Sequence, residues 1–269
     1  MLPEYSSLMQ ETSREVDPLI EQALADIPLP LTELPRLRLG KPRLRDLAIR
    51  LGYELTGGKN WREILPVCAA YELENSSSYA INWVLDEKGV PRDRKEQNDL
   101  IISGFVLRER ADSILRKAGL DSLVASINTI QYEGYLGQHN DQRILIIENL
   151  DEYPTPESFL QDYEQRCVRL SGVFYGYCLL SGSIVAGTAQ NTLYDIGRTF
   201  GSGLQAANDL GDFALPNEST RTLEKQTNDQ FSDLQQGKLT LPIYFLLTTN
   251  PEDACNIRSK VGKNLTEED

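Results

Sequence analysis

Leu160, Tyr163, Cys167, Leu170, Phe174 and Tyr177 step along the chain by three and four residues. Side chains at that spacing share one face of a helix, so the stripe predicts a helix with one apolar side. Val16, Leu19, Ile20, Ala23, Leu24 and Ile27 repeat the pattern and predict a helix over 5–27. Further helices are expected over 42–56, 61–86, 95–117, 121–136 and 190–212, and from Leu241 to Leu247. Breakers fall between them: Pro28, Pro30, Pro35, the Gly57-Gly58 pair, the KGVPRD stretch over 88–93, and Pro154 with Pro156. Only Ile144 to Ile147 is short and apolar enough to pass for a strand, and its periodicity leaves helix or strand open. With no linker and no repeat, the chain reads as one all-α domain over 1–269, a bundle around an apolar interior. Residues 1–40 supply its N-terminal helix and Pro-rich turn, and 248–269 a polar C-terminal tail.

Charge narrows the function. Lys plus Arg number 27 against 40 Asp plus Glu, a net charge of −13. A nucleic-acid binder needs a basic face, and an anionic membrane surface repels such a chain. The single histidine, His139, argues against a His-based metal site or a Ser-His-Asp triad. The four cysteines, Cys68, Cys167, Cys178 and Cys255, show no CxxC spacing. The polar, acidic start suggests no signal peptide, and no apolar run is expected to approach the ~18 residues of a membrane span. A cytoplasmic location is expected.

Four segments bring chemistry-bearing residues together. In Gly57-Gly58-Lys59-Asn60-Trp61-Arg62, two cations at i and i+3 beside a helix start suit a phosphate, or form a solvated basic turn. Asn75, Asn82 and Asp86 share one face of the 61–86 helix, a polar stripe that needs partners or water. In Gln205-Ala206-Ala207-Asn208-Asp209-Leu210-Gly211-Asp212, oxygen ligands on one helical turn suit magnesium, or form an acidic helix end. In Gly237-Lys238-Leu239-Thr240-Leu241-Pro242, a lysine just ahead of a helix could reach a phosphate.

In this order the segments resemble the trans-isoprenyl diphosphate synthases, or polyprenyl synthetases. That family carries a GGKxxR-type segment, an EL…DDxxD helix, GQ, a QxxDDxxD helix and GKxTLP. Here these read GGKNWR (57–62), ELENSSSYAINWVLD (72–86), GQHND (137–141), QAANDLGD (205–212) and GKLTLP (237–242). The resemblance covers about Tyr53 to Leu247. It implies an isoprenoid-synthase-type helical bundle with a central cavity, a prenyl diphosphate substrate, a homodimer, and magnesium held by Asp86, Asn208, Asp209 and Asp212. Asp86, Asp209 and Asp212 would then be catalytic. Lys59, Arg62, Asn75, Arg92 and Lys238 would grip a diphosphate, and Tyr79, Asn82, Trp83, Phe174 and Gln205 would line the cavity.

Departures from the family pattern cluster. The first motif keeps one of its three aspartates, as Asn82-Trp83-Val84-Leu85-Asp86, and Trp83 is a donor that cannot bind magnesium. Asn208 replaces the first aspartate of the second motif. The family's arginine pair falls on Pro91 and Arg92, and its mid-chain Lys-Thr dipeptide on Leu170-Ser171. The allylic, metal-bridged half is eroded, whereas Lys59, Arg62 and Arg92 of the other diphosphate half remain. Losing one preorganised electrostatic group typically costs about 10²–10³ in rate, so ordinary chain elongation is not expected.

Three readings follow. The first is an enzyme of non-standard type, a terpene cyclase or a prenyltransferase, started by ionisation or by a cavity carboxyl acting as acid. The second is an inactive partner subunit of a prenyl diphosphate synthase, which would form a heterodimer. The third is an isoprenoid carrier without turnover.

Overall fold

The computed structural model describes residues 3–86, 93–213, 231–249 and 251–261. Every regular element among them is helical. The helices are α1 (Pro3–Leu24), α2 (Glu33–Leu37), α3 (Leu44–Leu55), α4 (Leu65–Leu85), α5 (Arg94–Lys117) and α6 (Val124–Arg143). They continue with α7 (Pro156–Cys167), α8 (Val173–Val185), α9 (Asn191–Gly211), α10 (Ser232–Gln235), α11 (Leu241–Thr249) and α12 (Pro251–Arg258). The expected all-α class is what forms among these residues.

The Ile144–Ile147 ambiguity resolves as one β-bridge, Ile146 to Lys238, among these residues. Ile147 N–H donates to the Gly237 carbonyl and Leu239 N–H to the Leu145 carbonyl, both at 2.8 Å. A run of four apolar residues is too short for a helix of its own, and here it meets another extended segment. The 160–177 stripe is helical but interrupted. A π-turn over Val168–Gly172 joins α7 to α8, and such turns often mark functional sites.

The stretch Pro156–Val185 is long and apolar enough to cross a membrane by length and composition, its 18-residue window averaging a hydropathy of 1.3. This corrects the expectation that no run reaches that length. Half of the window is buried inside the protein, as in a core helix. The polar tail expected over 248–269 also begins with structure. Helix α11 runs to Thr249, and Ala254 and Ile257 of α12 pack on the apolar core.

Two compact units are present. The first comprises Met1–Glu133 and Val173–Phe200, the second Gly134–Gly172 and Gly201–Asp269. In the first, α4 is the central helix: Val67 through Leu73 are buried without a break. Helices α3 and α8 approach closely because Gly52 and Gly182 carry no side chain; a Cβ on either would strike the other helix's backbone. The second unit has its own core of Leu145, Phe159, Tyr163, Leu239, Ile243 and Tyr244. Its Phe159 and Tyr244 rings stack with centroids 4.0 Å apart.

Candidate functional site

In the second unit, helix α9 carries QAANDLGD with its acids turned inward. Asp209 and Asp212 are each 1% exposed, while Asn208 lies at the surface. The 3.6-residue period explains the split: Gln205, Asp209 and Asp212 are one turn apart, and Asn208 is rotated off their face. Asp209 Oδ2 accepts from Arg166 Nη1 and from the Tyr163 hydroxyl, each at 2.7 Å. Its Oδ1 accepts from Gln205 Nε2 at 3.0 Å. Asp212 accepts from the Ser232 hydroxyl at 3.1 Å and from the Asp233 N–H at 3.0 Å.

Arg166 on α7 also donates through Nε to Asp141 of the GQHND segment. The other oxygen of Asp141 meets the Lys238 ammonium at 2.7 Å. Three sequence motifs are thereby joined by two buried cations. Burial works to raise the Asp141 pKa, but Arg166 and Lys238 hold it down at about 2. Asp233 goes the other way: burial, then Asp212 and Asp209, push it up to about 7. Burial and the Asp209 charge raise the Tyr163 hydroxyl, so it stays a donor.

These donors do not fit a magnesium ion. Mg²⁺ demands near-octahedral oxygen coordination and keeps several waters. Asp209, Asp212 and Asp141 instead face a guanidinium, an ammonium, a phenol, an amide and a backbone N–H. Among the described residues, no group of three or more His, Cys, Asp or Glu side chains is placed to hold a metal. The expected diphosphate contact of Lys238 is likewise taken up by Asp141, and the ammonium is buried.

Helix α4 carries the first motif within the first unit. Asn75 and Asp86 are buried, and Asn82 and Trp83 are half-buried. The Asn75 Nδ2 is buried without a hydrogen-bond partner. Glu72, one turn earlier, accepts from Arg45 Nε at 2.9 Å and from Arg38 Nε at 3.4 Å. Burial would raise the Glu72 pKa, yet Arg45, Arg38 and Arg43 hold it below the usual range. Two of the three aromatic residues expected to line a cavity, Tyr79 and Phe174, already face guanidiniums. Arg38 lies 5.9 Å from the Tyr79 ring centroid, and Arg45 lies 5.6 Å from that of Phe174.

In GGKNWR the glycine pair has a backbone cause. Gly57 sits at φ +93°, and a Cβ on Gly58 would overlap the Tyr53 ring. Together they terminate α3. Arg62 is 55% exposed and forms a two-pronged pair with Glu15 of α1, at 2.6 and 2.7 Å. Lys59 is exposed and forms no ion pair with a described residue. Arg92 and Pro91 lie outside the described residues. His139 is exposed, and burial raises the thiols of Cys68, Cys167 and Cys178, so none of the three is an activated nucleophile. Sequence reasoning missed Arg166, Tyr163, Asp141 and Glu72. The available signal was Arg166 itself, one turn before Leu170, where the resemblance places a lysine.

The model of the polyprenyl synthetase family matches residues 90–269. No curated protein matches the chain. Among solved structures, it resembles geranylgeranyl pyrophosphate synthetase from Pyrococcus horikoshii, at 20% identity and TM-score 0.75 over 97% of this chain and 80% of that one. A decaprenyl diphosphate synthase from Rhodobacter capsulatus matches at 19% identity and TM-score 0.74, over 98% and 81% of the two chains. A polyprenyl synthase from Caulobacter crescentus, complexed with calcium and isoprenyl diphosphate, matches at 20% identity and TM-score 0.73, over 98% and 80%. At these identities the structural likeness establishes the fold, and the family model, which spans well over half of the sequence, establishes the kinship: this chain belongs to the polyprenyl synthetase family.

Proposed function

We propose that this family member takes part in prenyl diphosphate metabolism without running ordinary metal-assisted chain elongation, and that it acts as the partner subunit of an active synthase. The pairing of Asp209 and Asp212 carries the reading. Their four carboxylate oxygens already accept hydrogen bonds from Arg166, Tyr163, Gln205, Ser232 and the Asp233 N–H. A leaving pyrophosphate is normally neutralised by cations held on such carboxylates, and here Asp209 neutralises the protein's own Arg166 while Asp212 accepts from a hydroxyl and a backbone N–H. Arg62 is turned to Glu15 in the same way. Lys59, Asn75 and Arg92 would hold what diphosphate affinity remains. Ile102 and Phe105 of α5, 47% and 62% exposed, would offer a partner an apolar surface. The same surface would serve the family's homodimer.

A second reading, an enzyme of non-standard type, is favoured by one observation. Asp86, the one aspartate kept in the first motif, is buried, as are Asp209 and Asp212 of the second. Trp83, Tyr79 and Phe174 of the first unit would then contact the prenyl chain, Asn82 would supply a neutral oxygen, and the product would be a cyclised or transferred prenyl group.

One experiment separates the two. The purified chain is incubated with magnesium and geranyl, farnesyl or geranylgeranyl diphosphate, with and without isopentenyl diphosphate, alone and mixed with an active synthase. The subunit reading expects no pyrophosphate release from the chain alone and a changed product length in the mixture. Release by the chain alone, lost in Asp209→Asn, would establish the enzyme reading instead.

A further inference from the structure

Arg166 is a long charged side chain buried to 2% exposure, and nothing in the family's motifs calls for it. Its Nη1 meets Asp209 Oδ2 at 2.7 Å, and its Nε meets Asp141. One guanidinium therefore bridges the acid of the second aspartate-rich helix and the acid of the GQHND segment. Both carboxylates are buried, as is Lys238, which takes the remaining Asp141 oxygen. Two acids face two cations, and the quartet is neutral.

From this geometry we infer that Arg166 is a built-in replacement for a divalent cation, and that it makes the Asp209 site indifferent to magnesium. A planar fork of donors satisfies two carboxylates at once, which is the task a bridging metal performs. A Mg²⁺ or Mn²⁺ ion would have to displace Arg166 and Tyr163 from Asp209 Oδ2, or Gln205 from Oδ1, and would then sit close to a buried guanidinium. Like charges at that range in a poorly solvated site repel strongly. Removing the guanidinium reverses the situation. Asp141 would keep only Lys238, and Asp209 only the neutral donors Tyr163 and Gln205; the buried negative charge left uncompensated would take a divalent ion as hard oxygen ligands do. The inference goes beyond the proposed function, since it holds for a subunit and for an enzyme alike.

The test reads metal rather than turnover. Full-length wild-type protein, freed of metal with EDTA, is titrated with Mn²⁺ while free Mn²⁺ is followed by electron paramagnetic resonance. No uptake is expected up to about 1 mM, the weak end of protein sites for hard divalent cations. Arg166→Met is expected to take up an ion per chain, and its thermal midpoint should rise with Mn²⁺ by several degrees while that of the wild type does not move. Mn²⁺ uptake by the wild type that Asp209→Asn abolishes would overturn the inference. So would an Arg166→Met protein with native circular dichroism that takes up no Mn²⁺. Should that variant unfold in EDTA, refolding in Mn²⁺ supports the inference, and failure to refold leaves the wild-type titration to decide it.

Discussion

Glu74 is the least comfortable residue of the first unit. It is fully buried on α4, both its oxygens lack hydrogen-bond partners, and its nearest cation, Arg108 Nε on α5, is 3.7 Å away. Arg108 is itself held by Asp112 of α5 and by Asn128 and Gln131 of α6. Burial pushes the Glu74 pKa up to about 8; Arg108 opposes the shift and Asp112 adds to it. Below the ordinary carboxyl range the group is neutral whether the chain is folded or not. Between that range and about pH 8 only the unfolded chain ionises it, so its contribution to stability is lost as pH rises and levels off above 8. Glu74→Gln should remove that loss, gaining on the order of a few kcal/mol over the wild type at pH 8 and little at pH 5. Urea midpoints across that range check it. Asp46, raised to about 6 by burial and then by Glu72, should keep a smaller dependence at lower pH in both proteins.

Among the elements, the α3–α8 contact depends on two glycines. A Cβ at position 182 would meet the Ile49 carbonyl oxygen and the Tyr53 nitrogen, which are backbone atoms that cannot rotate away. Gly182→Ala should therefore cost about 1–3 kcal/mol or more by overpacking, read from chemical denaturation. At Gly203, within α9, a Cβ meets nothing, so alanine there lacks this penalty. Both are helix-interior glycines to the eye, and only their neighbours separate them. Helix α5 shows the opposite case: its start is readable locally. Asp93 accepts from the Glu96 N–H at 2.8 Å, and the Glu96 side chain accepts from the Asp93 N–H at 3.2 Å. An acidic cap with Glu three residues on is a helix-start signal in any context.

At the scale of the whole molecule, the property to test is the proposed association. Phe105 is 62% and Tyr132 63% exposed, in a chain whose net charge of −13 would otherwise favour separation. Phe105→Glu should abolish self-association or capture by an active synthase while leaving the helical circular dichroism unchanged. Sedimentation velocity, alone and with the synthase, measures both. The sequence by itself determined the helical class, most helix positions and the family. Each of these follows from local periodicity, from capping and from the order of short motifs, which need no knowledge of distant neighbours. It also showed which aspartates were lost. Only tertiary structure decided what the surviving ones do. Asp209 and Asp141 lie 68 residues apart in the sequence and meet through Arg166, itself 25 and 43 residues from them. Lys238 meets Asp141 from a fourth segment. Charge pairing across such separations depends on which helix faces which. The local pattern around any one of these residues reads equally well as a metal ligand, a phosphate contact or half of a buried ion pair.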